Sequence, residues 1–487
     1  MPVLALAGWP GCCHKYVACQ TAFLLFNELD GCMMSYTTAT KYTMIYRIME
    51  IANNDMVSVV DRIDALLDLF YHCCDRFDAL SLSAFAHRLA KISRGTMYAL
   101  EILQDARFRL LIEVIGKKLD QFTPRNLSQT TWALTSIGFR DEVVYHMIAN
   151  AARQRLSTFD HQALANMAWA FRTSGTKDPE FFCEIAQESI KKITQFDPQN
   201  LANTAWAFAE TDLVYYKLFN AIAESAKEKI AEFIPCGLAS IVWAFAKRNI
   251  MHESLFRLVA GEVVRKIDDF EPQSISSIAW SYALMHIQDA NLFEEIERFF
   301  LFDGRRFSAH SLANIIWAFA VLFPEKENFF SKATHCTEEE LHAFSDIGLV
   351  QIYHASLAVE KFCPSGIHEK CIPILDVRRN IIQKQCDFTR AVESVLSSIQ
   401  VDYEQQYFFK GYTIDFMVNR GGSKYAIECD NGLHNLINRN MYSGYGGRYV
   451  LKNRVLLKNS FHTVYLSRSE FYQMADQKQW IKTRLGM

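Results

Sequence analysis

Seven residues that can both donate and accept hydrogen bonds recur at one interval: Gln129, Asn166, Asn203, Ser240, Ser277, Asn314 and Gln351, each 37 residues after the last. Side-chain amides and hydroxyls can match the edge of a nucleobase. One such group per structural unit is how modular readers address one base per repeat of a single strand. The competing expectation is that they bond neighbouring backbone in a stack of repeats. Four residues earlier, Arg125, Gln162, Gln199, Gln273 and His310 fall on the same helical stripe. A second row, Lys118, Arg155, Lys192, Lys229 and Lys266, keeps the same spacing of 37. Such a row suits phosphate contacts; it equally suits the carbonyls that gather at a helix C-terminus. Between Asp430 and Glu470 there are six cations, Arg439, Arg448, Lys452, Arg454, Lys458 and Arg468, and no acid. Tyr442, Tyr445 and Tyr449 are interleaved with them. Cations that follow phosphates and aromatic faces that stack on bases make a nucleic-acid surface; a solvated face is the plainer alternative.

These rows need a repeated element to hold them. Trp132, Trp169, Trp206, Trp243, Trp280 and Trp317 share the period of 37, and a fixed period in this range marks a repeat architecture. Five residues before each stands Leu127, Leu164, Leu201, Leu238, Ile275 or Leu312, and five before those Phe122, Phe159, Phe196, Phe233, Phe270 or Phe307. A seventh copy continues with Phe344 and Leu349 but carries His354 in place of the Trp. With the Phe just outside a helix, the N-cap positions become Thr123, Asp160, Asp197, Ile234, Glu271, Ser308 and Ser345, of which five carry a good capping oxygen. Pro124, Pro198, Pro235 and Pro272 then occupy the first helical position, where proline is welcome. The Phe and Leu become a hydrophobic staple.

Within one copy, Leu201, Thr204, Ala205 and Phe208 lie on one helical face and Ala202, Trp206 and Ala209 on a second. A helix apolar on two sides is sandwiched between neighbours, so the stack is expected to bury the indoles. Second amphipathic helices follow at 179–193, 215–230 and 253–267. The expected architecture is mainly α, an αα-repeat solenoid followed by a small α/β domain.

The chain has 487 residues, half of them apolar, which is ample for a large core. Its net charge of −3 is unevenly spread: residues 401–487 hold 12 Lys/Arg and 7 Asp/Glu, against 39 and 47 in the remainder. That asymmetry points to a localised anion-binding surface. Thirteen cysteines show no zinc spacing, and Cys12-Cys13-His14 with Cys19 is too loose for a metal site, so free thiols of a reducing compartment are expected. No apolar run reaches the ~20 residues of a membrane span. Residues 1–75 read as an acid-poor N-terminal region, a possible organellar targeting segment plus capping helices. The solenoid takes 76–360, beginning with a degenerate copy at Phe77-Asp78-Ala79-Leu80 and Phe85-Ala86. A linker and helix take 361–400. In 401–487, strands are expected at 403–409, 412–418, 424–430 and 461–466, with helices at 446–459 and 477–485.

The Leu-Ala-Asn-x-x-Trp-Ala-Phe unit of Leu201–Phe208 resembles the heptatricopeptide and octotricopeptide repeats, relatives of the repeat region in FAST-kinase-like proteins. The C-terminal segment resembles the RAP domain, through Ile414-Asp415-Phe416, Ala426-Ile427-Glu428-Cys429-Asp430-Asn431-Gly432-x-His434, Leu451-Lys452-x-Arg454-x-Leu456-Leu457 and Thr463-Val464-Tyr465-Leu466. Asn431-Gly432-Leu433 departs from that family's Asp-Gly-Pro. The resemblance implies an organellar RNA-binding protein, mitochondrial or alternatively plastid. Its partners would be single-stranded or ribosomal RNA and ribosomal or other organellar proteins. Its setting would be RNA processing, stabilisation or mitochondrial ribosome assembly and structure, with His434, Arg448, Lys452, Arg454 and Lys458 contacting adjoining RNA.

RAP domains resemble the restriction-endonuclease-like fold, so Asp415 and Glu428 become candidate Mg²⁺ ligands of a metal-dependent endonuclease. Asp430 stands where that fold carries its lysine; it is either a third ligand or a sign that the lysine comes from elsewhere, such as Lys424. The alternatives are a hydrogen-bonded structural cluster with no cofactor, or, for the whole chain, a protein-binding scaffold.

Overall fold

A computed structural model describes residues 36–379, 386–430 and 446–487. The expected targeting segment before residue 36, and His434, Arg439, Tyr442 and Tyr445, lie outside these. The chain divides into two compact units at Gly237/Leu238.

The first unit runs α1 (Tyr36–Ala52), α2 (Val59–Cys73), α3 (Ala79–Ser93), α4 (Ala99–Gln104), α5 (Ala106–Lys117), α6 (Pro124–Ile137), α7 (Glu142–Arg153), α8 (His161–Ser174), α9 (Pro179–Lys192), α10 (Pro198–Ala209) and α11 (Tyr216–Glu228). Each repeat starts alike. A short 3-10 turn ends on the buried Phe, an extended cap residue follows, and the first (A) helix begins. Thr123, Asp160 and Asp197 accept the N–H of Asn126, Ala163 and Asn200 as predicted, each worth about 1 kcal/mol. The degenerate copy is capped as well, by a reciprocal Asp78–Ser81 box.

The A helices α3, α6, α8 and α10 pack each upon the next, more closely than the second (B) helices do. Small buried residues such as Ala168, Ala170, Ala205 and Ala207 permit that approach. Large rings fill the space between the layers: Phe171 meets Phe181 at 4.8 Å, and Phe182 of one repeat meets Phe208 of the next at 5.4 Å.

α12 (Pro235–Lys247) crosses the division. The second unit continues with α13 (Glu253–Arg265), α14 (Pro272–Leu284), α15 (Ala290–Asp303), α16 (Ala309–Leu322), α17 (Glu327–Glu339), α18 (Asp346–Ala358) and α19 (Ile367–Arg379). Ser308 and Ser345 cap α16 and α18 through Ser311 and Gly348, whereas Glu271 makes no side-chain cap. Helix α19 corrects the expected linker. It packs on α18 as the second helix of the seventh repeat, with Phe362 and Cys371 buried.

After α20 (Asp387–Ser398) comes a sheet of β1 (Tyr403–Phe409), β2 (Tyr412–Arg420), β3 (Ser423–Asp430) and, beyond α21 (Gly447–Lys458), β4 (Phe461–Ser467). Its order is β1-β2-β3-β4, the first two pairings antiparallel and the last parallel. One face, with Phe416, Val418, Ile427 and Leu466, packs on Phe388, Val392 and Leu396 of α20. Phe471, Ile481 and Leu485, from α22 (Arg468–Gln473), α23 (Gln477–Arg484) and the residue after it, close that side. Ile414, Met417, Ala426 and Phe461 form a core with Leu456 of α21. The expected class therefore holds: a mainly α, paired-helix solenoid with a small C-terminal α/β domain. Among the described residues no helix is long and apolar enough to cross a membrane, and the described cysteines are free thiols.

Candidate nucleic-acid interface

The polar row lies along the A helices. In the first unit Gln129, Asn166 and Asn203 are half-buried; among the described residues neither the Asn166 nor the Asn203 amide has a hydrogen-bond partner. Gln129 receives a long bond from Ser83 Oγ at 3.5 Å. In the second unit Ser277, Asn314 and Gln351 are half-buried, whereas Ser240 is buried. Gln351 Nε2 donates to Asn314 Oδ1 at 3.2 Å, linking the same position of consecutive repeats, and Asn314 Nδ2 meets His310 Nε2 at 3.1 Å. The row is thus open at Asn166 and Asn203, and laterally bonded at Asn314 and Gln351.

The indoles accompany it, and they correct the expectation of full burial. Trp132, Trp169, Trp206, Trp243 and Trp280 are half-buried; Trp317 alone of the six is covered, at 6% exposure. Within each unit neighbouring rings approach in tilted pairs: Trp132 and Trp169 at 6.3 Å and 35°, Trp280 and Trp317 at 6.5 Å and 40°. An A helix buries one flank on its B partner and two on adjacent A helices; the remaining flank carries both the amide and part of the indole. Lys247 sits over the Trp243 ring at 5.6 Å.

The C-terminal domain meets this surface within the second unit. Helix α21 packs on α14, α16 and α18. A Cβ at Gly447 would fall 1.9 Å from the Ala283 carbonyl oxygen, so only glycine permits that approach. Arg454 donates to the carbonyls of Ala320 and Val321, satisfying the last turn of α16. At the seventh repeat, His354 stacks on Tyr412 of β2 at 3.9 Å and 14°. Nothing in the repeat spacing marks Tyr412 as continuing the aromatic row.

The periodic cations have protein partners. Lys118 Nζ donates to Phe77 O, Arg155 to Leu119 O at 2.9 Å, Lys192 to Ser157 O and Phe159 O at 2.6 Å each, and Lys229 to Thr194 O at 2.8 Å and Phe196 O at 2.6 Å. Each reaches the turn of the preceding repeat, and Arg155 also donates to Ala151 O of its own helix at 3.2 Å. Lys266 is paired with Glu262 at 2.6 Å. Four of the five cations that could serve phosphates are occupied as inter-repeat staples, and the fifth is held by Glu262 four residues before it.

The acid-free stretch divides similarly. Arg448 is exposed, and Lys458 is exposed 3.8 Å from Glu360. Arg454 and Lys452 point into protein, a correction to their reading as part of an open cationic face. Lys452 ion-pairs with Glu428 and donates to Thr413 O at 2.7 Å.

Asp415 and Glu428 face each other one step beyond the Phe416–Ile427 pair. Asp415 Oδ2 accepts the Cys429 N–H at 2.8 Å. Glu428 is held against the Lys452 ammonium, and burial nevertheless pushes its carboxyl up to about 7. Asp430 is buried and bonded. Lys424 is exposed over the Phe461 ring at 5.6 Å and does not join the group. The cation beside Glu428 comes from α21, which strand spacing could not reveal. The Lys452 ammonium thus holds one side of Glu428, and the Cys429 N–H takes one oxygen of Asp415. Among the described residues no three His, Cys, Asp or Glu side chains converge on one point.

Paired helices stacked in register, with an open flank of amides and indoles, define a helical-repeat protein of the solenoid class. Residues 68–328, more than half of the chain, match the family model described as RNA-editing substrate-binding complex 6 protein, and the chain belongs to that family. This makes it an RNA-associated helical-repeat protein. No curated protein matches it.

Proposed function

We propose that the chain binds single-stranded RNA along the open flank of its A helices, as a component of an RNA-processing or RNA-stabilising assembly. Asn166 and Asn203 carry the reading: two amides, one repeat apart, half-buried beside Trp169 and Trp206 and without a partner among the described residues. An amide left in that state costs free energy unless water or a ligand satisfies it, and a base edge supplies matching donors and acceptors. The indoles beside them offer stacking faces, worth ~1–3 kcal/mol per base. Coverage of Trp317 and the Gln351–Asn314 bond shorten the register below one nucleotide for each of seven repeats, and concentrate reading on the first unit.

The C-terminal domain, RAP-like in its motifs, adds Arg448 and Lys458 as exposed cations for adjoining RNA. A mitochondrial location and ribonucleoprotein or ribosomal partners belong to the same reading. The test is fluorescence anisotropy of the full chain with a labelled single-stranded RNA across a salt series. Affinity should fall steeply with salt, and Asn166→Ala with Asn203→Ala should weaken it while leaving the salt slope intact. Affinity flat in salt, or unmoved by the two substitutions, would count against the reading.

A further inference from the structure

The first repeat departs from the others at the positions that line the A flank. Phe77 and Phe122 are 45 residues apart, not 37, so the correspondence is hidden from a fixed-period comparison. On the corrected alignment His87 stands where six later repeats have Trp. Arg88 stands where all seven later repeats carry the buried small residues Ala133, Ala170, Ala207, Ala244, Ser281, Ala318 and Ala355. Lys91 stands where the Trp-bearing repeats carry Ser136, Thr173, Glu210, Lys247, Leu284 and Val321, so a cation recurs there once. Ala84, His87, Arg88 and Lys91 follow i, i+3, i+4, i+7 and share one side of α3. That side borders the indole row. The His87 ring lies 5.4 Å from Trp132, and Arg94 sits over the same indole at 5.8 Å.

Other half-buried arginines hold carboxylates or, like Arg155 and Arg454, backbone carbonyls. Arg107 holds Asp64, Asp68 and Asp105; Arg153 holds Asp178 and Glu184; Arg172 holds Glu210. Arg88 and Lys91 are half-buried as well, yet among the described residues neither has a hydrogen bond or an ion pair. Burial lowers the pKa of both, and Arg88 lowers Lys91 further. Burial, then Lys91 and Arg88, bring His87 down to about 4. No described carboxylate offsets this. Adjacent like charges removed from water without a counter-charge destabilise a fold, and such a cluster persists where an anion completes it.

We propose that Arg88 and Lys91 seat backbone phosphates of the bound RNA, with the Trp132 indole beside them receiving the adjoining base. The seat rests on the RNA reading above and places one end of the strand's track at α3. It also separates function from stability, because the unpaired cations weaken the empty protein.

The experiment uses the full chain, a labelled single-stranded RNA and the double variant Arg88→Gln/Lys91→Gln. A single strand contributes about 0.7 to the log–log salt slope per phosphate contact, so loss of two contacts should make the slope shallower by about 1.4. The melting temperature of the RNA-free protein should hold or rise. Lys91→Gln alone, at a position that later repeats fill with Ser, Thr, Glu, Lys, Leu or Val, should lower the slope by about 0.7 and guards against a folding failure of the double variant. Steep wild-type binding with an unchanged slope in both variants would overturn the seat and leave the RNA reading standing. Wild-type affinity flat in salt would overturn both. A polyglutamate chain that binds the wild type as tightly as the RNA does, at equal salt, would assign the seat to an acidic protein instead.

Discussion

Replacing Lys192 with methionine separates a structural cation from an RNA-binding one. Its ammonium donates to Ser157 O and Phe159 O at 2.6 Å each, so the substitution keeps the aliphatic stem and deletes two charge-assisted bonds between repeats. Bonds to a charged group contribute ~1.5–3 kcal/mol each when fully buried. Here Ser157 is exposed and its carbonyl regains water, so the net loss should be about 1–2 kcal/mol. A chain with two compact units need not melt in one step. The measurement is therefore native-state hydrogen exchange, read at the turn Leu156–Thr158 and at the end of α9. Protection there should drop about 5- to 30-fold, the equivalent of that free energy, while distant repeats stay unchanged. The RNA salt slope should not move. Unchanged protection together with a slope shallower by about 0.7 would refute the staple and return Lys192 to the phosphates.

Gly447→Ala should loosen α21 from α14, because the new methyl would meet the Ala283 carbonyl at 1.9 Å. A loss of about 2–4 kcal/mol is expected, visible as lower hydrogen-exchange protection of α21 with the first unit unchanged. Lys452→Met leaves Glu428 buried beside no cation and should cost about 3 kcal/mol near pH 8, most of it recovered by Lys452→Met/Glu428→Leu. Because the Glu428 pKa is raised on folding to about 7, the native state holds the extra proton, and this group's contribution to stability falls as pH rises from 4.5 through 7. His87 acts in the opposite direction. With a native pKa near 4 against 6.5, the unfolded chain takes the proton first, so stability should fall by about 1–3 kcal/mol as pH drops from 6.5 to 4. Urea titrations at pH 7 and pH 4.5 should show His87→Gln losing less stability than the wild type.

Much of the architecture was legible because its causes are local. A cap such as Asp160 bonds the N–H three residues on, and a staple spans five, so Phe-Asp-x-x-x-Leu specifies a helix start wherever it occurs. The strands at 412–420 and 423–430 are likewise bounded by their own turn residues. Repetition of these short-range signals at a period of 37 determined the solenoid and the placing of one amide and one indole per repeat.

What each side chain touches was decided only in three dimensions. Lys192 and Lys229 sit in a C-terminal turn whose own carbonyls were available, yet bond residues 33 to 35 positions earlier, because stacking brings the previous repeat's turn within reach of a lysine stem. Two apolar flanks on α10 suggested a sandwiched Trp206; it is half-open, since α8 and α11 pack on other sides of α10 and leave the crest that carries the indole uncovered. Residues 367–379 lack the Trp signature and became a repeat helix through the face that α18 presents to them. Helix α21 supplies Lys452 to Glu428 and Arg454 to α16 from 24 and about 134 residues away, distances over which no periodicity carries information. Helix formation depends on bonds within one turn, whereas the partner of a long charged side chain depends on which distant backbone the packed layers bring beside it.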